Sequence, residues 1–136
     1  MGTWDVGPFD NDTAADWCGH LDDAAPDARH GLVRDALART AGTTGYLDSD
    51  VADEAVAAAA LVAAQCSAGE PANPHYGPKE PLPDLTDLRA LALRSLDRVM
   101  TEPSELLELW EEAGDGPWQA GINRLRGALA PESTPL

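Results

Sequence analysis

The stretch AVAAAALVAA at residues 55–64 decides the fold of this chain, because it is apolar on every side. A helix without a polar face is stable in water only when other elements surround it, so this stretch predicts a buried central helix. The helix is expected to run over about residues 51–68. Ser49 or Asp50 is expected to cap its start, and Gly69 to close it.

Outward from this stretch, apolar residues recur at helical spacing and predict five further helices. They are expected over about residues 13–21, 26–41, 84–100, 103–114 and 116–130. The residues expected on their inward faces are Ala14, Trp17, Cys18 and Leu21; Leu32, Val33, Ala36 and Leu37; Leu85, Leu88, Ala92, Leu96 and Val99; Leu106, Leu107, Leu109 and Trp110; and Trp118, Ile122, Leu125 and Leu129. No alternating pattern typical of a strand occurs, so we expect an all-α fold, a compact orthogonal or irregular bundle of about six helices.

The 136 residues are enough for one domain with a hydrophobic core, so residues 1–136 are interpreted as a single helical domain. Residues 69–83 hold five prolines and two glycines and are interpreted as a connector. Residues 131–136 are expected to be a frayed end. Residues 1–10 are expected to form an ordered irregular arm.

The N-terminal sequence MGTWDVGPFDNDTAADW, residues 1–17, combines turn-forming glycines and a proline with large aromatic side chains. Asn11 or Asp12 is expected to cap the first helix. The aromatic side chains Trp4 and Phe9 would then fill a groove between that helix and the C-terminal helices. The residues expected to define this structural motif are Trp4, Phe9, Asn11, Trp17, Trp110 and Trp118.

This N-terminal sequence, together with SELLELWEEAG at 104–114 and PWQAGINRLRGAL at 117–129, resembles the bacterial "domain of unknown function 4259" family. The resemblance extends over nearly the whole chain, and the N-terminal part of it is fairly specific. It implies that the arm belongs to the fold. The family has no established activity, so the resemblance implies none for this chain.

The charge of the chain is strongly one-sided, with 24 acidic against 9 basic residues and a formal net charge of −15. Such a field repels nucleic acid and anionic membranes, and it favours a basic protein or cations as partners. Solubility alone is the simpler explanation. The N-terminus lacks the basic start and apolar run of an export signal, so a cytoplasmic location is expected.

The sequence lacks the common catalytic motifs, which favours a non-catalytic protein-binding module such as an adaptor, an inhibitor or an immunity-type factor, with no cofactor. Three glutamates of the fifth predicted helix follow helical spacing and predict an anionic ridge for a basic partner. The ridge is expected to lie opposite Leu106, Leu109 and Trp110. The residues expected to contact the partner are Glu105, Glu108, Glu111, Glu112, Asp22 and Asp23.

A cluster of carboxylates near the N-terminus supports an alternative, a metal-binding protein or a metal-dependent hydrolase. Asp10, Asp12 and Asp16 could offer several oxygens to a divalent cation. The spacing does not fit an EF-hand loop, which has glycine at its sixth position. The same residues also suit the start of a helix, where they would cap it and complement its dipole.

Overall fold

A computed structural model describes residues 12–65, 84–113 and 116–129. Within these ranges the chain forms six α-helices: α1 (Asp12–Asp23), α2 (Arg29–Ala41), α3 (Ser49–Ala64), α4 (Arg89–Val99), α5 (Glu105–Ala113) and α6 (Gly116–Leu129). Single 3-10 turns precede α2 and α4. The described ranges contain no β-strand, so the predicted all-α class is confirmed. The segments interpreted as arm, connector and frayed end, 1–10, 69–83 and 131–136, lie outside these ranges.

Helix α3 is the centre of the bundle, and it packs against each of the other five helices. Every residue from Ala55 to Ala63 is buried. The small alanine side chains let the neighbouring helices approach closely, and their burial favours the folded state through the hydrophobic effect. The buried central helix predicted from the sequence is therefore confirmed.

The apolar stripes of the surrounding helices also lie largely where the spacing predicts them. The predicted inward residues that are buried are Ala14, Trp17, Cys18, Leu21, Val33, Ala36, Leu37, Leu85, Leu88, Ala92, Leu96, Val99, Leu106, Leu107, Ile122 and Leu129. Leu32, Trp110 and Leu125 are half-buried and pack against this core. The backbone of Trp118 lies in α6, and its side chain is outside the described part of the molecule.

Leu109 is the exception, because its side chain is 49% exposed and not directed inward. Residues four apart lie on one face of a helix, so Leu109 shares a face with Glu105. That face points away from the core, against which α5 packs through Leu106, Leu107 and Trp110. The predicted inward position of Leu109, opposite the glutamates, is therefore wrong.

Arginine side chains join the loops and helix ends of the bundle by donating to backbone carbonyls. Arg29 donates from Nε to the Leu21 carbonyl, 3.1 Å away, near the end of α1. Arg89 donates from Nε to the Leu129 carbonyl, 2.9 Å away, at the end of α6. Carbonyls at a helix end lack donors within the helix, so these guanidinium groups supply the missing hydrogen-bond donors.

Arg98 connects two loops in the same way. Its Nε donates to the Thr43 carbonyl over 2.9 Å, and its Nη1 donates to the Thr101 carbonyl over 2.8 Å. Its Nη2 donates to the carbonyls of Gly45 and Pro103, at 2.5 Å and 3.1 Å. One side chain thus holds the loop before α3 against the loop before α5.

Candidate functional site

The backbone brings the starts of α3 and α5 together through a short parallel β-bridge between Leu47 and Ser104. The Leu47 N–H donates to the Pro103 carbonyl over 3.1 Å, and the Glu105 N–H donates to the Leu47 carbonyl over 2.9 Å. Two helix N-termini separated by more than fifty residues in sequence therefore lie side by side. Both carry acidic residues in their first turns, Asp50 in α3 and Glu105 in α5.

Glu105 caps α3 from the neighbouring helix. Its Oε1 accepts the Ser49 backbone N–H at 2.8 Å, which satisfies one of the donors that a helix start leaves unpaired. The N-cap residue itself is Asp48, and its side chain makes no capping hydrogen bond. The predicted capping by Ser49 or Asp50 is therefore wrong, because a carboxylate from α5 takes that role.

Carboxylates crowd around this junction, which we name the acidic end: Asp48, Asp50, Asp53, Glu54, Glu105 and Glu108. Two contacts from other helices reach it. Thr13 of α1 donates from Oγ1 to Asp50 Oδ1 over 3.3 Å, and Arg39 Nη1 of α2 lies 3.3 Å from Glu54 Oε1. Acidic residues at a helix start complement the helix dipole, but this many in one place also repel each other.

Asp53 lies among these carboxylates, and its pKa is raised from 3.8 to about 7. Burial is the largest cause, and the charges of Asp50, Glu105 and Glu54 add to it in that order. Burial also raises the pKa of Glu54, against the opposing charge of Arg39. The acidic end therefore holds more negative charge than its own cations neutralise.

Two large apolar side chains are exposed beside these carboxylates. Tyr46 is 52% exposed and Leu109 is 49% exposed. The Tyr46 hydroxyl lies close to the carboxylate of Glu108, the residue before Leu109. The pKa of Tyr46 is raised above its ordinary 10.0, first by partial desolvation and then by the Glu108 carboxylate. The acidic end thus combines exposed apolar surface with negative charge.

The residues predicted to contact a partner fall into two separate places. Glu108, Glu111 and Glu112 are exposed on α5, whereas Glu105 is half-buried and capping α3. Asp22 is half-buried and Asp23 exposed at the far end of α1. Helical rise places Asp22 about 14 Å along α1 from the residue that contacts Asp50. The structure therefore unites the glutamates of α5 with the start of α3, and Asp22 and Asp23 lie apart from them.

The residues predicted to bind a metal ion lie mostly outside the described ranges. Asp10 and the side chain of Asp12 are outside them, and Asp16 is exposed on α1. Residues 12–65, 84–113 and 116–129 contain no group of three histidine, cysteine or acidic side chains placed to hold a metal ion. The cation-binding hypothesis stays a prediction, which calorimetry with calcium, magnesium, manganese and zinc tests.

The residues of the predicted N-terminal motif are placed only in part. Trp17 is buried in the core, and Trp110 is half-buried against it. Trp4, Phe9 and Asn11 lie outside the described residues, as does the side chain of Trp118. The packing of Trp4 and Phe9 into a groove therefore stays a prediction.

Cys18 is the one cysteine within the described ranges, and it is buried on the inner face of α1. Burial raises the pKa of its thiol to about 12, and the charge of Asp22 acts in the same direction. A thiol held protonated and away from solvent is a poor nucleophile. Its environment is that of a small apolar core residue.

Sequence reasoning missed Tyr46, Asp48 and the carboxylates of α3 as parts of this site. One signal was available, because Asp50, Asp53 and Glu54 lie three and four residues apart and share a helix face. No sequence pattern links them to Glu105, since the β-bridge that joins the two helices is a tertiary feature.

The geometry defines a small helical bundle with an acidic, partly apolar surface at one end. The family model described as "Domain of unknown function (DUF4259)" matches residues 2–121, and the chain belongs to that family. Neither a curated protein nor a solved structure matches the chain. Within the described residues, the helices are all too short or too polar to cross a membrane.

Proposed function

We propose that this chain is a non-catalytic protein-binding module that presents its acidic end and the outward side of α5 to a basic protein surface. The observation that carries the proposal is the crowding of carboxylates at the acidic end, where Asp53 is flanked by Asp50, Glu54 and Glu105. A carboxylate whose pKa is strongly raised by burial together with neighbouring charges marks a candidate functional site. A cationic partner would relieve this repulsion.

The outward side of α5 extends the same charge over the surface. Glu108, Glu111 and Glu112 are exposed, and a row of surface charges of one sign accelerates association with an oppositely charged protein. Such a module could act as an adaptor, an inhibitor or an immunity-type factor that covers a basic site. The net charge of −15 favours a basic partner and disfavours nucleic acid.

The test is capture of binding proteins by the immobilised chain at low and high salt. We compare the wild-type chain with E108Q/E111Q/E112Q and with a control, D16N/D27N/D35N, which removes three exposed carboxylates from outside α5. If the proposal is correct, the wild type and the control retain a binding protein that the α5 variant does not retain. This protein is released as salt rises from about 50 to 500 mM.

Two results would contradict the proposal. The first is the absence of any salt-sensitive partner in the wild-type sample. The second is a partner that the α5 variant retains as well as the control does, because binding would then depend on another surface or on total charge alone. Reciprocal titration of the purified partner by calorimetry separates direct binding from capture through a third protein.

A further inference from the structure

Tyr46 and Leu109 are the large apolar side chains that remain exposed in the described part of the chain. The other large apolar residues there are buried or half-buried. A single exposed leucine is ordinary on a protein surface. Two large exposed apolar groups beside the same glutamates of α5 are a more specific feature.

The backbone places these two side chains on one surface. The Leu47–Ser104 bridge sets Tyr46 beside the first turn of α5, close to the carboxylates of Glu105 and Glu108. Leu109 lies four residues after Glu105 and three residues before Glu112, so it shares one side of the helix with both glutamates. The apolar groups are thus flanked by carboxylates along α5.

Charge decides what can cover this surface. The segments outside the described ranges, residues 1–11, 66–83, 114–115 and 130–136, contain Lys79 as their sole lysine or arginine and carry several acids. A second copy of the chain brings another net charge of −15. Both are poor matches for an apolar patch flanked by Glu108 and Glu112, since like charges brought together oppose association.

We propose that the covering group is a basic segment of another protein that carries a large apolar side chain, which packs on Tyr46 and Leu109 while flanking arginine or lysine residues pair with Glu108 and Glu112. This inference rests on the proposed function and narrows it. The apolar contact supplies affinity that persists in salt, whereas the charges supply orientation and a fast association rate. A purely cationic ligand without an apolar group would use only half of this surface.

The test uses two short synthetic peptides rich in arginine and lysine, identical except for one central residue. One peptide carries tryptophan there and its twin carries serine, so their charges are the same. We expect calorimetry with the full chain to give about tenfold tighter binding for the tryptophan peptide, the difference expected when one large apolar group is buried. L109Q and Y46S are each expected to reduce that preference, and the double variant to remove it.

Matched variants separate this inference from the proposed function. A90Q, at an exposed position on α4, is expected to keep the preference for tryptophan. E108Q/E112Q is expected to weaken both peptides, and D16N/D27N to weaken them less. Since Tyr46 and Leu109 are exposed, melting curves of their variants should match the wild type and so exclude unfolding as the cause.

The outcomes are distinguishable. Equal affinity for the two peptides, or a preference that survives in L109Q/Y46S, would overturn the apolar contact and leave charge-led binding in place if both peptides bind in a salt-sensitive way. If neither peptide binds at low salt, both proposals are wrong. A tryptophan preference lost in L109Q/Y46S and kept in A90Q would support both.

Discussion

The two halves of α3 lie in opposite surroundings. From Ala55 to Ala63 the helix is buried among apolar side chains. In its first turns, Asp50, Asp53 and Glu54 lie near a further carboxylate from α5, and Arg39 is the cation that pairs with one of them. Repulsion between carboxylates in the first half therefore destabilises the fold, and apolar burial in the second half must offset this cost. Stability therefore resides in the alanine half, and the proposed binding would use the acidic half.

The largest effect is expected from a charge in the alanine half. A59D would bury a carboxylate without a partner, which costs more than about 4 kcal/mol and should unfold the chain. A90D, at an exposed position on α4, is expected to change the free energy of unfolding by less than about 0.5 kcal/mol. Urea unfolding followed by circular dichroism measures both. Equal stability of the two variants would contradict tight packing around α3.

A smaller but still large loss of stability is expected when the Arg98 side chain, which connects the two loops beside the acidic end, is removed. R98A deletes hydrogen bonds to four backbone carbonyls and should cost about 2–3 kcal/mol. R94A, one turn earlier on the same helix and exposed, should cost less than about 0.5 kcal/mol. If R98A is as stable as R94A in urea, the two loops are held together by something other than this guanidinium.

The third effect is a gain in stability, at the acidic end. The pKa of Asp53 is raised in the folded chain, so protonation favours folding. Its contribution is fully present below the ordinary pKa of 3.8 and is lost as pH rises to about 7. D53N keeps the shape and removes the titration. We expect D53N to be about 2–3 kcal/mol more stable than the wild type at pH 8, allowing for partial solvation.

The pH dependence gives this prediction its control. The advantage of D53N should be absent at pH 3, should grow between pH 4 and 7, and should be constant above that range. D16N removes an exposed carboxylate of α1 and should show a smaller difference that varies less with pH. A D53N variant that is less stable than the wild type at pH 8 would show that the Asp53 carboxylate is stabilised by contacts instead of repelled.

The alanine half and the main apolar stripes could be predicted from the sequence because their cause is local. A run such as residues 55–64 has no polar face in any orientation, so burial is its one stable solution. The stripe from Leu85 to Val99, in α4 and the turn before it, follows helical spacing and is buried as predicted. Leu109 could also have been placed correctly, since it lies four residues after Glu105 and must share its side of the helix.

The acidic end could not be predicted, because its parts meet only through tertiary structure. Ser49 and Asp50 look like capping residues, but the cap is Glu105, which reaches Ser49 across the Leu47–Ser104 bridge. The shifted pKa of Asp53 has the same origin, since Glu105 is one of its causes. Sequence spacing reveals acids that share a helix; it carries no information on which helices start side by side.

The smallest effect is expected at Glu105, where two consequences oppose each other. E105Q keeps an oxygen that accepts the Ser49 N–H but makes that hydrogen bond a neutral and weaker one, at a cost of about 0.5–1 kcal/mol. The same change removes one of the charges that raise the pKa of Asp53. The net change in the free energy of unfolding at pH 7 should stay below about 1 kcal/mol.

The informative measurement on E105Q is therefore the pH dependence and not the stability at one pH. With less repulsion, the pKa of Asp53 should fall, so the loss of stability between pH 4 and 7 should be smaller and end at a lower pH. E111Q, exposed on α5, changes the net charge equally and should leave this loss as in the wild type. If E111Q reduces this loss of stability as much as E105Q does, the total charge of the chain governs the pKa of Asp53. A reduction confined to E105Q would instead assign the repulsion to direct contact at the acidic end, where a basic partner would act.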